Sequence, residues 1–229
     1  MKKLSVSMSR KEMIAGISYL AIQHFILPSF LLWLNHLLGT PLTATELNFI
    51  FFIVDFIAIV VIFHQFLINS TKRALVQPFI CLKSAFLGLL LYWISSYLVS
   101  IMIFCVYPEF YNVNDESIKG LTQQNYALMG IGTVLLVPIT EETLYRGIIF
   151  RGLYNRNPFI AFIVSALAFS ALHVVGYVGN YEPIHLLMCL FQYIPAGICL
   201  GWAYSKADSI WAPILMHMTI NQIGILSMR

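Results

Sequence analysis

The sequence predicts an all-α membrane protein: a polytopic transmembrane bundle of about seven helices, with eight as the alternative. Hydrophobic residues make up 59% of the 229 residues and charged residues only 10%, whereas a typical soluble domain is about 25% charged. Apolar stretches long enough to cross a bilayer, roughly 20 residues each, recur from one end of the chain to the other. This composition excludes soluble, disordered, disulfide-rich secreted and nucleic-acid-binding proteins. A lipid bilayer is the expected surrounding, and no nucleic acid partner is expected.

Seven apolar stretches separated by short polar segments are the predicted membrane spans, and together they form one domain over residues 1–229. The first is too long for a removable signal peptide and lacks a small-residue cleavage site. The only extended polar loop is expected over 108–125, and an eighth helix hidden there or in the third stretch would reverse the side of the C-terminus. The spans run from Met13 to Leu38, Leu47 to Ile68, Pro78 to Tyr107, Tyr126 to Tyr154, Pro158 to Val178, Ile184 to Tyr204 and Ser209 to Leu226.

The positive charges favour an N-terminus in the cytoplasm, because cytoplasmic flanks of membrane spans are enriched in Lys and Arg. Seven crossings from there place ten of the thirteen Lys and Arg residues on the cytoplasmic side. Arg229 then lies outside, and Lys83 lies in a span near its cytoplasmic end, where it can snorkel. A bacterial plasma membrane is the expected location. The ten cytoplasmic residues are Lys2, Lys3, Arg10, Lys11, Lys72, Arg73, Arg146, Arg151, Arg156 and Lys206.

The fourth span carries two adjacent carboxylates, Glu141 and Glu142, followed by Arg146. Adjacent residues point about 100° apart on a helix, so the two glutamates cannot perform the same role. Glu142 and Arg146 are four residues apart on one face, in the order that favours an ion pair, and they are expected to support the site structurally. Glu141 has no partner on its own helix. Pro138 is expected to kink or widen the helix near the carboxylates.

Two later spans bring polar groups to the depth of Glu141. If residue 157 is the turn of a helical hairpin, Glu141 lies sixteen residues before it and His173 sixteen after. Both then lie about 24 Å from the turn, so they can face each other. In the last span His217 and Asn221 are four residues apart on one face and reach the same level. An ionisable group at such depth is by default a candidate functional residue.

These four residues allow two kinds of chemistry. A carboxylate facing an imidazole can hold and deprotonate a water, while a His and Asn pair can donate to an oxyanion. Alternatively, Glu141, His173 and His217 are a zinc-ligand set of the hydrolase type. Each residue taken singly fits a packing role slightly better, but the shared depth favours catalysis. A lone histidine in a span is more often an interhelical contact, and this applies to the remaining candidates, His24, His64 and His185.

Asp55, in the second span, allows two interpretations. It is either a polar tether to a neighbouring span or a carboxylate that supports the site, and the tether is favoured about two to one.

Three motifs resemble those of the CPBP intramembrane protease family, also called the Abi or CAAX-protease family. The pattern E-E-x-x-x-R stands at 141–146, F-x-x-x-H at 169–173 and H-x-x-x-N at 217–221. All three are intact and in the family's order, and the similarity covers roughly residues 126–226. The resemblance implies that Glu141 and His173 activate the attacking water and that His217 and Asn221 stabilise the oxyanion. It also implies a supporting role for Glu142 and Arg146.

The resemblance implies an intramembrane endopeptidase whose substrate is a membrane-associated peptide or protein. Members of the family have been called metalloendopeptidases, yet a glutamate mechanism without metal also fits, and this second interpretation is slightly favoured. No cofactor is favoured, therefore, and zinc is the alternative. The compact chain with a short Lys-rich start favours an unprenylated peptide over a prenylated one. A bell-shaped activity profile near neutral pH is expected.

Two other functions are compatible with the same residues. The chain could be a non-catalytic membrane scaffold or a bacteriocin immunity factor, in which the polar cluster serves helix packing. A proton-coupled transporter using Glu141 and His173 as a relay is a weaker alternative, because no inverted repeat or pair of broken helices occurs. No G-x-S-x-G, G-x-G-D or H-E-x-x-H motif occurs in the sequence. Serine, aspartyl and conventional zincin chemistries are therefore poorly supported.

Overall fold

The computed structural model describes residues 3–228, which form nine helices and no β-strand. Lys2 and Arg229, which the charge pattern assigns to opposite sides of the membrane, lie outside the described residues. The helices are α1 (Arg10–His36), α2 (Ala44–Ile62), α3 (His64–Val76), α4 (Pro78–Val106), α5 (Val113–Gln124), α6 (Tyr126–Tyr154), α7 (Pro158–Val175), α8 (Pro183–Ala207) and α9 (Trp211–Ser227).

Six helices of the described chain, α1, α2, α4, α6, α7 and α8, are long and apolar enough to cross a membrane. The predicted polytopic helical bundle is therefore confirmed. The seventh predicted span is present as α9, but its 17 residues rise only about 26 Å, slightly less than the hydrocarbon core of a typical bilayer.

The second predicted span ends earlier than expected. Its helix stops at Ile62, the chain breaks helical geometry at Phe63, and α3 begins at His64. The buried Glu12 of α1 stabilises this break, because its Oε1 accepts a hydrogen bond from the backbone N–H of Phe66 at 2.8 Å. Phe66 is the third residue of α3, where a backbone N–H has no partner within the helix.

The predicted polar loop over 108–125 is wrong for most of its length, because residues 113–124 form α5. The side chain of Asn112 accepts hydrogen bonds from the backbone N–H groups of Asn114 and Asp115, which caps the N-terminus of this helix. Asp115 and Glu116 lie in its first turn, where negative charge is favoured. At 12 residues the helix is too short to span, so it adds no eighth crossing.

The first described residues are extended and fastened across one end of the bundle. Leu4 is buried, and its backbone N–H and C=O both bond to the side-chain amide of Asn155, in the turn between α6 and α7. Ser5 donates from its backbone and its hydroxyl to Asp208, in the turn between α8 and α9. Asp208 also pairs with Arg73 near the end of α3, at 3.3 Å. These contacts place the N-terminal segment and three interhelical turns at the same end.

Candidate active site

Helix α6 is widened on both sides of Pro138. Wide π turns occupy Gly132–Leu136 and Glu142–Phe150, with a short α-helical segment between them. In the first π turn the Val137 N–H donates to the carbonyl of Gly132, five residues earlier. The next donor in that register would be residue 138, which as proline has no N–H, so the carbonyl of Thr133 loses its helical partner.

The side chain of Asn221 supplies the missing donor. Its Nδ2 donates to the carbonyl oxygen of Thr133 at 2.8 Å, which joins α9 to α6 beside the site. An amide NH₂ group has two hydrogens, so one N–H remains after this bond. The predicted site residue Asn221 therefore has a structural bond and retains one donor.

Glu142 is fully buried between a cation and an imidazole. Its Oε2 lies 3.2 Å from Nε of Arg146, and neither side chain is exposed. Its Oε1 accepts a hydrogen bond from Nδ1 of His217 at 2.9 Å. Arg146 also donates to the carbonyl of Gly197 and lies over the ring of Phe169, 4.3 Å from its centroid. The ion pair expected from the four-residue spacing is present, and it extends to a second helix through His217.

Glu141 points to a more open environment than its neighbour. Its side chain is 21% exposed, against 0% for Glu142. Its Oε2 lies 4.0 Å from Nε2 of His217 and accepts no hydrogen bond among the described residues. Since Nδ1 of His217 donates to Glu142, the opposite ring nitrogen is the one that faces Glu141. The arrangement thus orders Arg146, Glu142, His217 and Glu141 in one chain of charged and polar groups.

His173 lies in the last turn of α7 and is held by its surroundings. Its Nδ1 donates to the carbonyl of Phe169 at 2.8 Å, which leaves Nε2 available. Its ring stacks on that of Tyr193 from α8, with centroids 4.2 Å apart. The structure shows no hydrogen bond or ion pair between Glu141 and His173 among the described residues, although both line the same cavity. His217, rather than His173, is the imidazole close to Glu141.

A cavity of about 1340 Å³ contains all four predicted catalytic residues in its lining. It extends between α1, α2, α4, α5, α6, α7, α8 and α9, so it also includes helices outside the 126–226 segment. Its walls combine large apolar side chains with a few polar groups, as is typical of ligand-binding cavities. The four residues are Glu141, His173, His217 and Asn221.

Asp55 connects two helices and also lines this cavity. Tyr19 and Gln23 of α1 each donate to one of its carboxylate oxygens. This geometry is that of the tether favoured from the sequence. Asp55 also lines the cavity that contains the four predicted catalytic residues, which is compatible with the other interpretation, a carboxylate that supports the site.

A polar network around Tyr193 was not predicted. The Tyr193 hydroxyl donates to Asp115 at 2.9 Å and receives a hydrogen bond from Asn114 at 3.1 Å, and all three residues line the cavity. Asp115 lies on α5, outside the spans, and burial raises the pKa of its carboxyl above the ordinary value. The polar cluster on 112–115 was a usable signal, but Tyr193 is one of twelve tyrosines, and nothing in its sequence context marks it.

The zinc alternative requires three converging ligands. No group of three His, Cys, Asp or Glu side chains is placed to hold a metal ion within residues 3–228. The Nδ1 bonds of His173 and His217 leave Nε2 of each ring free to ligate, so the misfit is the lack of convergence and not these bonds. The arrangement does not fit a zinc site, and no chemical step through a metal is derived from it.

Comparison with known proteins supports the resemblance seen in the motifs. Residues 123–223 match the family model described as type II CAAX prenyl endopeptidase Rce1-like. The family resemblance is thereby confirmed over that segment, which contains all six predicted site residues. The Rce1-like segment begins just before α6 and ends within α9.

Two curated bacterial proteins are similar over parts of their length. The protein named "Putative membrane peptidase YdiL" from Bacillus subtilis (strain 168) is 31% identical over 104 residues, which cover 45% of this chain and 38% of that protein. The UPF0177 protein YxdF from Lactococcus lactis subsp. lactis (strain IL1403) is 27% identical over 90 residues, covering 39% and 44%. The chain thus spans less than half the length of these relatives. No solved structure matches.

Proposed function

We propose that this protein is an intramembrane endopeptidase that hydrolyses a peptide bond of a membrane-associated peptide or protein. The observation that carries the proposal is the placement of Glu141 beside an imidazole that a buried ion pair holds in place. Glu141 is partly exposed, and its Oε2 has no hydrogen-bond donor among the described residues. The Rce1-like match over the same segment supports peptidase chemistry. Six helices of the described chain that are long and apolar enough to cross a membrane support a site within a bilayer.

In the proposed mechanism Glu141 is the general base. It takes a proton from a water in the cavity and later returns that proton to the amine leaving group. His173 contributes Nε2, its one ring nitrogen without a hydrogen bond to its own helix, as the second contact of that water. From α9 the developing oxyanion is met by the remaining N–H of Asn221 and by Nε2 of His217. Because Nδ1–H of His217 is bonded to Glu142, Nε2 donates to the oxyanion only when both ring nitrogens carry a proton. Glu142 and Arg146 fix the orientation of His217 and do not touch the substrate.

The substrate proposed here enters from the lipid and presents an extended segment to the cavity. The matching family is described by its action on CAAX prenyl proteins, so a prenylated Cys-a-a-X peptide and the same peptide without its lipid are the two informative probes. An unprenylated peptide or membrane-protein segment is the proposed substrate class.

The mechanism is tested with the purified full chain in liposomes and three fluorogenic peptides: the prenylated and unprenylated pair and an apolar transmembrane peptide. Glu141→Gln preserves size and removes the base, so at least one peptide that the wild type cleaves should be cleaved about 100-fold or more slowly. Rates are measured by fluorescence and cleavage positions by mass spectrometry.

The matched control is Glu116→Gln, because Glu116 is 54% exposed on α5 and its ion pair within residues 3–228 is with Lys119. This variant should cleave at the wild-type rate. Full cleavage by a folded Glu141→Gln variant would exclude Glu141 as the base. If the wild type cleaves none of the peptides and cells carrying Glu141→Gln keep the wild-type phenotype, the protein is better explained as a non-catalytic membrane scaffold.

A further inference from the structure

The cavity carries negative charge without a matching cation. Three carboxylates, those of Asp55, Asp115 and Glu141, are in its lining. None of the described residues that line it is Lys or Arg. The buried cation Arg146 forms an ion pair with Glu142 and does not line the cavity. A low-dielectric cavity with this charge balance favours a positively charged occupant.

Asp55 is the carboxylate with the most specific surroundings. Its two partners, Tyr19 and Gln23, are neutral, so hydrogen bonds orient the carboxylate but leave its charge uncompensated. Each carboxylate oxygen can accept a further hydrogen bond, since the group offers about four acceptor positions. A buried charge without a counterion is costly, which makes a cation from outside the chain a favourable addition.

Gln23 provides an independent sign of a missing donor. It is only 8% exposed and lines the cavity. Its Nε2 donates to Asp55, whereas its Oε1 has no hydrogen-bond donor among the described residues. The bond to Asp55 fixes the amide orientation, because the reverse orientation would place two acceptors together. An acceptor oxygen without a donor is thus held next to a carboxylate whose hydrogen-bond partners among the described residues are neutral. An ammonium or guanidinium group would supply both a donor and a positive charge.

The subsite lies close to the proposed base. Helix α2, which carries Asp55, packs against the part of α6 that ends at Glu141. The two carboxylates line the same cavity. One extended occupant of this cavity would therefore meet both Asp55 and Glu141.

We propose that Asp55 and Gln23 form a subsite for a lysine or arginine side chain of the peptide substrate. The same charge balance disfavours a free C-terminal carboxylate near the cleaved bond, so the substrate segment is basic and internal to its chain. That the cation belongs to a peptide substrate rests on the proposed function. That a cation binds at Asp55 and Gln23 rests on the charges and hydrogen bonds of the cavity lining alone.

Binding is tested without any peptide, with n-octylguanidinium, n-octanol and octanoate as probes of equal chain length. The thermal unfolding midpoint of the detergent-solubilised full chain is measured for the wild type, Asp55→Asn and the control Glu116→Gln. Asparagine keeps an acceptor for Tyr19, so the contact between α1 and α2 is retained in part. Octylguanidinium should raise the midpoint of the wild type and the control above the value in octanol, and Asp55→Asn should lose most of that increment.

Two results would overturn the subsite: an equal increment in Asp55→Asn, or stabilisation by octanoate that matches octylguanidinium. If Asp55→Asn does not fold, Gln23→Met replaces it, because it removes the unpartnered acceptor and the bond to Asp55 but leaves the charge. A wild-type increment reduced in Gln23→Met supports the subsite, and an undiminished one contradicts it.

Cleavage provides the second measurement, with peptides that differ only by lysine, norleucine or glutamate beside the cleaved bond. A charge-assisted hydrogen bond predicts a kcat/KM about tenfold or more higher for lysine than for norleucine, and loss of that ratio in Asp55→Asn. Cleavage without this preference overturns the subsite and leaves the endopeptidase standing. Octylguanidinium binding at Asp55 without cleavage of any peptide supports the subsite and contradicts the endopeptidase.

Discussion

At the scale of single residues, the two adjacent glutamates differ because their surroundings differ. Glu142 has a cation and an imidazole within contact distance. Among the described residues, the charged or ionisable group near Glu141 is the far side of that imidazole, at 4.0 Å. The sequence predicts this division of roles from the spacing of Glu142 and Arg146. It could not predict that His217 lies between the glutamates, because residue spacing gives depth along a helix and not the rotation of one helix against another.

Removing the charge of Glu142 should strongly destabilise the protein. Glu142→Gln leaves Arg146 buried without a counterion, a change that typically costs about 3–5 kcal/mol. The double variant Glu142→Gln with Arg146→Met removes both charges and should recover most of that loss. Unfolding free energies are measured in mixed detergent micelles for the wild type, Glu142→Gln, Arg146→Met and the double variant. Together they give the interaction energy of the pair.

The pair of Glu116 and Lys119 is the control for this cycle. Both side chains are about half exposed and 3.4 Å apart, and an exposed pair of this kind contributes about 0–1 kcal/mol. An equal loss from Glu116→Gln and Glu142→Gln would show that burial of the ion pair has no special effect. So would a double variant no more stable than Glu142→Gln alone.

At the scale of elements, the widened helix α6 depends on one missing backbone donor. The sequence predicts a disturbance at Pro138 but not its form, because the freed carbonyl depends on whether the helix is bonded four or five residues apart. The π register moves the loss to Thr133, and Asn221 of α9 compensates for it. A residue expected to serve only the oxyanion therefore also joins two helices.

This compensation predicts that Pro138 and Asn221 are energetically coupled although they lie on different helices. In the wild type, Asn221→Ala leaves the buried carbonyl of Thr133 without a donor and should cost about 1–3 kcal/mol. Pro138→Ala supplies a backbone N–H to the same helix, so Asn221→Ala should cost clearly less in that background. Unfolding midpoints of the two single variants and the double variant measure the difference.

Thr219→Ala is the control, since Thr219 lies on α9 and its side chain, within the described part of the chain, bonds to the carbonyl of Leu215 on the same helix. Its effect should be the same in the wild type and in the Pro138→Ala background. Equal costs of Asn221→Ala in both backgrounds would mean that the Thr133 carbonyl does not depend on Asn221.

At the scale of the whole molecule, the turns separate into two groups. The N-terminal segment contacts Asn155 and Asp208 at one end of the bundle. At the other end, Tyr111 accepts from His185 and Asn114 accepts from Tyr177. Successive turns between the long helices lie at alternate ends of the bundle. This is the pattern expected if α9 also crosses the membrane. The sequence anticipated this alternation from apolar length, but it missed α5 because a short amphipathic helix has too few apolar residues to stand out from a loop.

Together with the distribution of Lys and Arg, this alternation predicts which turns face the cytoplasm. If the N-terminus is cytoplasmic, Arg156 lies inside and Lys119 lies outside. The four cysteines are free, so a version with alanine at all four can carry single cysteines as Arg156→Cys or Lys119→Cys. A membrane-impermeant maleimide should label the Lys119→Cys protein in intact cells and the Arg156→Cys protein only after lysis, because the bilayer shields the latter. The reverse pattern would place the N-terminus outside, and labelling of both in intact cells would contradict the grouping of the turns itself.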